Sequence, residues 1–356
     1  MRATPPWLGI VEGFYGRPWS WGARLAWVEC LARLGLNSYL YAPKADPWLR
    51  RDWQADWPAA QWHELQGLSA ACAGRGVHFG VGLSPFALYR DYRAPQQRAL
   101  RDKVRRLNAL DAPLLAILFD DMPGDLDDLA CRQAEIVADV LAVTRARQVF
   151  VCPTYYSFDP VLEQHFGRRP AGYWEQLGAA LPPGVGLFWT GPQVCSESLD
   201  SADQAAAAAA LGRPAVLWDN YPVNDGAKRS RRLYLDPLPK REAGPPQTTL
   251  GHFCNPMNQP WCSLPGVAGL AALHGTLGED SRQQIEGLLD ALLGGPLRAA
   301  LRADSALFRD GGLDAIGAAE RRQLLQRYSC LQGPAAAEVC AWLRGEYTFD
   351  PACLTD

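Results

Sequence analysis

The chain has 356 residues, 48% of them hydrophobic and 10% aromatic, which is enough to bury a large core as one big domain or two ordinary ones. Its 35 basic residues stand against 38 acidic ones, for a formal charge of −3, so no long-range field gathers nucleic acid or an anionic membrane. No apolar run approaches the ~20 residues needed to span a bilayer.

In chain order, Met1 is followed by Arg2 and two prolines, Pro5 and Pro6, and then directly by the apolar stretch Trp7 to Val11. That leaves no room for a charged n-region and an apolar h-region, so secretion is not expected and a cytoplasmic location is. Short β-rich runs bounded by turn residues then recur at Leu8 to Phe14, Asn37 to Ala42, Val77 to Leu83 and Leu114 to Phe119. Four more follow at Gln148 to Pro153, Val185 to Trp189, Ala215 to Trp218 and Thr249 to Phe253. Between them lie amphipathic segments, clearest at Ala23 to Leu36, Trp62 to Ala73, Gln97 to Leu110, Leu126 to Arg145 and Ser201 to Leu211. Strands alternating with helices over about 260 residues predict an α/β fold of the (β/α)8 barrel type, with its chemistry where each strand ends. A doubly wound sheet would need a Gly-rich phosphate loop after the first strand, and Gly13-Phe14-Tyr15-Gly16-Arg17-Pro18 has the wrong spacing for one.

From Ala227 to Pro246 runs a basic, Pro-rich connection, AKRSRRLYLDPLPKREAGPP, too polar for core and expected to be a loop over the barrel mouth. After about residue 276 the pattern turns to Ala/Leu-rich helices without a further strand. The expected division is therefore a catalytic barrel over 1–276 and a small helical extension over 277–356. The ten cysteines form no CxxC pair and no zinc-spaced cluster, and read as reduced core thiols, with Cys254 and Cys262 able to bridge in an oxidising compartment.

The strand ends carry the chemistry. The first offers Glu12-Gly13-Phe14-Tyr15, the second Tyr41-Ala42-Pro43-Lys44, the fourth Phe119-Asp120-Asp121 and the fifth Pro153-Thr154-Tyr155-Tyr156. The sixth offers Trp189-Thr190-Gly191-Pro192, the seventh Trp218-Asp219-Asn220 with Asn224-Asp225 beyond, and the eighth Asn255-Pro256-Met257-Asn258. Amides, carboxylates and flat rings suit a neutral polyol, whose hydroxyls need planar partners and whose ring face needs an aromatic. A metal hydrolase is not indicated, because the five histidines (63, 78, 165, 252 and 274) include no HxH pair. Strands seven and eight also lack the Gly-rich turns of a barrel phosphate site.

Asp120-Asp121 is the most informative pair. Adjacent side chains of a regular strand point to opposite faces, so two neighbours share one site only where the strand has ended, and Met122-Pro123-Gly124 supplies the turn. Two carboxylates forced together cannot both ionise freely, which is how one of such a pair comes to serve as an acid near neutral pH. The plainer alternative is that Asp121 begins a turn, or that Asp125 to Asp128 cap the next helix. Lys44 is equally readable as a surface lysine, Tyr155 and Tyr156 as rim aromatics, and Asn220 and Asn255 as turn residues bonded to their own backbone.

Taken together, these residues resemble the O-GlcNAcase and hyaluronidase-like glycoside hydrolases, family eighty-four, which are β-N-acetylglucosaminidases. The stretches that carry the resemblance are GIVEGFYGRPW (9–19), LNSYLYAPK (36–44), ILFDDM (117–122), FVCPTYY (150–156), FWTGP (188–192), LWDNYPVND (217–225), RLYLDPLP (232–239) and CNPM (254–257). They fall in family order across residues 8–275. The resemblance implies the same barrel and a substrate-assisted route, in which the sugar's own 2-acetamido oxygen attacks the anomeric carbon. It implies that Asp120 orients the acetamido N–H and that Asp121 protonates the leaving oxygen, then deprotonates water. It further implies that Tyr156 donates to the acetamido oxygen, that the Gly13 backbone, Lys44, Asp225 and Asn255 bind hydroxyls, and that Trp218, Asp219 and Asn220 form the pocket floor. No cofactor and no metal are implied, and the partner is a substrate bearing N-acetylglucosamine, on a glycoprotein or a glycan.

The sequence departs from the family pattern at Ala45, which follows the lysine where an acidic residue is common, and at Tyr155, whose position is often acidic. Pro260-Trp261-Cys262 has no family counterpart. These departures concern the outer rim and hence the aglycone. The expected enzyme is a retaining, exo-acting β-N-acetylglucosaminidase. An endo-acting hyaluronidase-type enzyme would show an open groove, and a silent carbohydrate-binding barrel would lack the intact Asp120, Asp121 and Tyr156.

Overall fold

Eight parallel strands pair in chain order and close on themselves, β1 beside β8. They are β1 (Trp7–Glu12), β2 (Ser38–Tyr41), β3 (His78–Leu83), β4 (Leu114–Leu118), β5 (Gln148–Cys152), β6 (Gly186–Trp189), β7 (Ala215–Asp219) and β8 (Thr249–Cys254). The computed structural model describes residues 6–347 and 349–354. The expectation drawn from Met1 to Pro5 falls outside the described residues, as do the outermost ends of the expected division.

The strands read as continuous apolar runs because both of their faces are covered. Leu114, Leu115, Ala116, Ile117 and Leu118 of β4 are all buried, some against the barrel interior and some against helices. Inside the barrel, Phe150 of β5 meets Phe188 of β6 at 5.3 Å and Phe253 of β8 at 5.9 Å between ring centroids. Strands β5 and β8 are not neighbours, so these rings meet only across the lumen. Trp218 of β7 packs edge-on to Phe188 at 5.2 Å. This aromatic plug fills the centre and forms a solid base beneath the open end.

The covering helices begin with α1 (Trp21–Arg33), α2 (Ala59–Gly74), α3 (Ala94–Leu107) and α4 (Leu129–Leu141). The connection from β5 to β6 holds two short helices, α5 (Val161–Phe166) and α6 (Tyr173–Ala180), followed later by α7 (Ser201–Leu211) and α8 (Leu264–Leu273). Local chemistry fixes their ends. Ser20 caps α1 by accepting from Ala23 N at 3.2 Å, and Asp200 with Asp203 forms a reciprocal capping box on α7, which stops at Gly212. One barrel unit is irregular. Between β7 and β8 the described residues hold no α-helix, only a 3-10 turn at Arg229–Arg231 within the basic connection.

Beyond α8 come α9 (Ser281–Leu293), α10 (Gly295–Ala306), α11 (Gly312–Ala315), α12 (Ala318–Ser329) and α13 (Pro334–Leu343). They fold back onto the barrel. Glu338 of α13 accepts from the backbone N–H groups of Trp261 and Cys262 at 3.1 and 2.8 Å, and Trp342 donates to Ser230 O at 3.2 Å. The segment Pro260-Trp261-Cys262 thus opens a short 3-10 turn, Trp261–Ser263, whose first N–H groups are capped by a distant carboxylate. Burial is the largest influence on Glu338 and raises its pKa to about 7, against the pull of those two backbone donors.

None of the ten cysteines forms a disulfide, and six of them (30, 72, 152, 254, 262 and 340) are buried. Cys254 and Cys262 are unbridged. Cys131 and Cys330 are exposed, so the core-thiol reading does not extend to them. Among the described residues no helix is long and apolar enough to cross a membrane.

Candidate active site

At the C-terminal ends of the strands lies a pocket lined by residues from seven of the eight strand ends and their loops, all but that of β3. Of the ten residues singled out from the sequence, nine line it: Gly13, Lys44, Asp120, Asp121, Tyr156, Trp218, Asn220, Asp225 and Asn255.

The backbone ends β4 at Leu118, and three residues later Asp121 adopts φ +54, the left-handed region that an aspartate tolerates better than most residues. That turn lets neighbours that would alternate in a strand share one pocket, as their spacing predicts. Arg50 holds it in place. Its guanidinium donates to the backbone oxygen of Asp121 at 2.9 Å and of Asp120 at 3.5 Å, and to Ser84 Oγ at 2.9 Å. Burial works against the Arg50 charge, but Tyr15, Asp120 and Asp121 around it outweigh that effect and raise its pKa.

The two carboxylates are held differently. Asp120 is ion-paired with Lys44 through Oδ2, with both side chains almost wholly buried, while its buried Oδ1 has no hydrogen-bond partner among the described residues. Asp121 accepts at both oxygens, from Tyr156 Oη on Oδ1 and from Tyr15 Oη on Oδ2, each at 2.9 Å. Burial, reinforced by Asp121, pushes both phenols well above their usual pKa, so they stay donors throughout the working range. Tyr156, expected to face an acetamido oxygen, here donates to Asp121.

Tyr15 ties two walls together, because its backbone N–H also donates to Asp225 Oδ2 at 2.8 Å. Asn258 Nδ2 in turn grips the Tyr15 and Arg17 carbonyls at 2.8 and 3.0 Å and fixes that loop. The opposite wall is a chain of amides. Asn220 Oδ1 accepts from Trp218 Nε1 at 3.0 Å and from Asn255 Nδ2 at 2.9 Å, and Asn255 Oδ1 accepts from Gly13 N at 3.3 Å. Gly13 must be glycine, since a Cβ there would lie 2.2 Å from the Trp218 ring. Its N–H is also shared with Val11 O at 2.9 Å. The indole and the asparagines therefore serve one another, which is more than the turn-residue reading of the sequence allowed.

Asp219 is the exception. It points away from the pocket into a buried network, bonded to Arg241 through both oxygens (2.9 and 2.8 Å) and to His252 Nε2 at 3.1 Å. Those bonds overcome burial and lower its pKa. The pocket-floor role expected of Asp219 is corrected to that of an anchor, tying the basic β7–β8 connection to the strand end. Alternation along β7 explains it, since Trp218 and Asp219 must face opposite sides. Glu12 and Tyr155 also lie outside the pocket. Glu12 is buried against Arg24 and Tyr39, and Tyr155 donates to Gly167 O at 2.6 Å.

The sequence reading left several wall residues without roles: Tyr15, Cys152, Thr190, Val194, Cys195, Val223, Arg229 and Cys353. Cys152 and Thr190 stand at strand ends, so position was the signal for them. Nothing local marks Arg50, which lies in an irregular segment, or Cys353, which arrives from the far end of the chain. Among the described residues no group of three or more His, Cys, Asp or Glu side chains is placed to hold a metal ion.

The model of the β-N-acetylglucosaminidase family matches residues 8–303. The chain is 29% identical to the protein O-GlcNAcase of Mus musculus over 243 residues, covering 65% of this chain and 26% of that protein. The Rattus norvegicus protein gives the same figures. The chain thus spans about a quarter of the length of these curated relatives. A solved mutant of the Thermobaculum terrenum O-GlcNAc hydrolase superposes with a TM-score of 0.75 at 28% identity, covering 95% of this chain and 80% of that one. With the family model covering most of the chain and the paired aspartates at the end of β4, this protein belongs to the β-N-acetylglucosaminidase family of glycoside hydrolases, family eighty-four.

Proposed function

We propose that the protein is a retaining exo-β-N-acetylglucosaminidase that works by substrate assistance and removes terminal N-acetylglucosamine from glycoproteins or glycans. One observation carries the reading: Asp120 lines the pocket with one buried oxygen bound to Lys44 and the other bound to nothing among the described residues. A buried acceptor left unpaired is costly, and an amide N–H from a ligand would satisfy it. In this role Asp120 aligns the 2-acetamido group and stabilises the positive charge that develops as its oxygen attacks the anomeric carbon. The two aspartates are neighbours on one turn, whereas a conventional retaining enzyme places its nucleophile and acid on either side of the bond.

Asp121 donates its proton to the leaving oxygen as the C–O bond breaks and recovers it from the water that opens the oxazoline. Tyr15 and Tyr156 hold its carboxyl group, and Tyr156 turns to the acetamido oxygen once a sugar enters. The remaining Lys44 donors, Asp225, Asn255 and the Gly13 backbone meet hydroxyls, and the Trp218 ring supports the sugar's apolar face. The ten unbridged thiols suit a reducing compartment, in keeping with a cytoplasmic location.

The test is release of chromophore from an aryl N-acetyl-β-glucosaminide, compared with the plain β-glucoside. Turnover of the first alone, with inhibition by a thiazoline analogue of the oxazoline, is expected. Equal turnover of both sugars would sink the substrate-assisted route.

A further inference from the structure

We infer that Arg50 is a positioning residue for the reaction: by clamping the backbone carbonyls of Asp120 and Asp121 it sets where both carboxyl groups meet the sugar. The inference rests on reading those two aspartates as the acetamido-orienting group and the acid.

The clamp has no substitute. Arg50 reaches Asp121 O at 2.9 Å and Asp120 O at 3.5 Å, and among the described residues neither carbonyl accepts from any other donor. Two successive peptide groups at a left-handed residue therefore depend on one guanidinium, whose planar fork holds both where a point donor holds one. The carboxyl groups do not hold the turn themselves, because the oxygens that are engaged go to Lys44, Tyr15 and Tyr156.

Arg50 is itself a fixed strut. It lies in the irregular segment between β2 and α2, and two bonds pin that segment to the end of β3: Ser84 N donates to Leu49 O at 2.8 Å and Phe86 N to Arg50 O at 3.5 Å. The guanidinium in turn donates to Ser84 Oγ at 2.9 Å, and the Phe86 ring lies over it at 5.2 Å. The end of β3 is the one strand end from which no described residue lines the pocket. Through Arg50 it still acts on the site.

The charge points the same way. Arg50 is half-buried and forms no ion pair among the described residues, Asp120 being paired with Lys44. Burial disfavours its charge, and Tyr15, Asp120, Asp121 and Tyr156 outweigh that and raise its pKa. All four of those residues line the pocket, so the guanidinium is matched to the site.

The experiment measures kcat and KM of the wild-type protein, Arg50→Ala and Arg50→Lys on an aryl N-acetyl-β-glucosaminide and on a glycopeptide with O-linked N-acetylglucosamine, a poorer leaving group, with denaturation midpoints alongside. Arg50→Ala is expected to lose about 10²-fold in kcat on both, more on the glycopeptide because Asp121 O is the closer contact, with KM within about threefold of wild type. Guanidinium chloride at low millimolar concentration should restore part of the lost kcat, and sodium chloride should not. Arg50→Lys, reaching one carbonyl only, should fall between. Wild-type kcat in Arg50→Ala, a rise in KM alone, a loss no larger than the loss of folded protein, or equal recovery with sodium chloride would overturn the inference and leave the activity standing. If Arg50→Ala does not fold, Arg50→Lys decides: a lower kcat at unchanged KM and midpoint supports the inference, and wild-type kcat overturns it. No turnover of either substrate by the wild-type protein would remove the catalytic reading of the aspartates, and the inference with it.

Discussion

Two buried carboxylates at strand ends of this barrel, Glu12 closing β1 and Asp120 just after β4, each face one cation and yet do different things. Glu12 is wholly buried and fully served, with Arg24 bonding both oxygens and Tyr39 Oη adding a third donor at 2.8 Å. Asp120 is nearly as buried, but Lys44 serves only one of its oxygens and the other is left over. Both are ion pairs by geometry. The first closes on itself and holds β1, α1 and β2 together, whereas the second is incomplete in a pocket and is completed only by a ligand. A buried acid with every lone pair satisfied reads as architecture, and one with a spare acceptor facing a cavity reads as a site.

The largest way to test this contrast is Asp121→Asn. Asparagine also tolerates the left-handed backbone at this position, so the fold should survive while turnover of substrates with poor leaving groups falls by about 10³-fold or more. Activated aryl glycosides should suffer much less, and an equal loss on both would contradict the acid role. Next, Asp120→Asn should slow both classes of substrate alike, by about 10²-fold, because it acts on the acetamido group and not on the leaving oxygen. Selective loss on poor leaving groups would exchange the two roles.

Stability should rank the opposite way. Arg24→Ala strands the Glu12 carboxylate in the core and should cost about 3 kcal/mol, seen as a lower denaturation midpoint, with kcat per folded molecule little changed. Asp120→Asn should cost less than Glu12→Gln in the same assay, since it removes an acceptor that is already unsatisfied. A larger loss for Asp120→Asn would break the comparison.

The smallest expected effect concerns Glu338, which joins α13 to the segment after β8. Burial raises its folded pKa to about 7, well above the usual glutamate range, so the folded state binds its proton more tightly than the unfolded one. Its stabilising contribution is therefore complete below about pH 4.5 and is lost as pH rises through about 7, on the order of 3 kcal/mol across that window. Glu338→Gln should flatten this part of the stability curve, measured by urea unfolding at a series of pH values. An unchanged slope would show that the carboxyl group is not the source.

Much of the barrel was legible because each strand is a short apolar run whose ends are marked by polar or turn residues. The observed strands differ from the expected runs by one or two residues at their ends, as at Leu8 to Phe14 against Trp7–Glu12. The β7–β8 connection was likewise readable as loop, being too basic and proline-rich for a covering helix. Site residues at strand ends were readable for the same reason, since the fold sends every strand end to one face. Asp219 was misassigned because the sequence does not say which face of β7 each side chain takes, a matter settled by the packing of Trp218 against Phe188. Arg50 and Cys353 were beyond reach, as neither belongs to a periodic element.

The sequence by itself determined the barrel, the order of its strands and the adjacency of Asp120 and Asp121, because apolar periodicity and turn chemistry are local and survive in any context. Only the tertiary structure decided that Lys44 takes one oxygen of Asp120, that two tyrosines from separate strand ends hold Asp121, and that Arg50 secures the turn between them. Those partners lie 35 to 106 residues away, and it is closure of the sheet that brings them into contact.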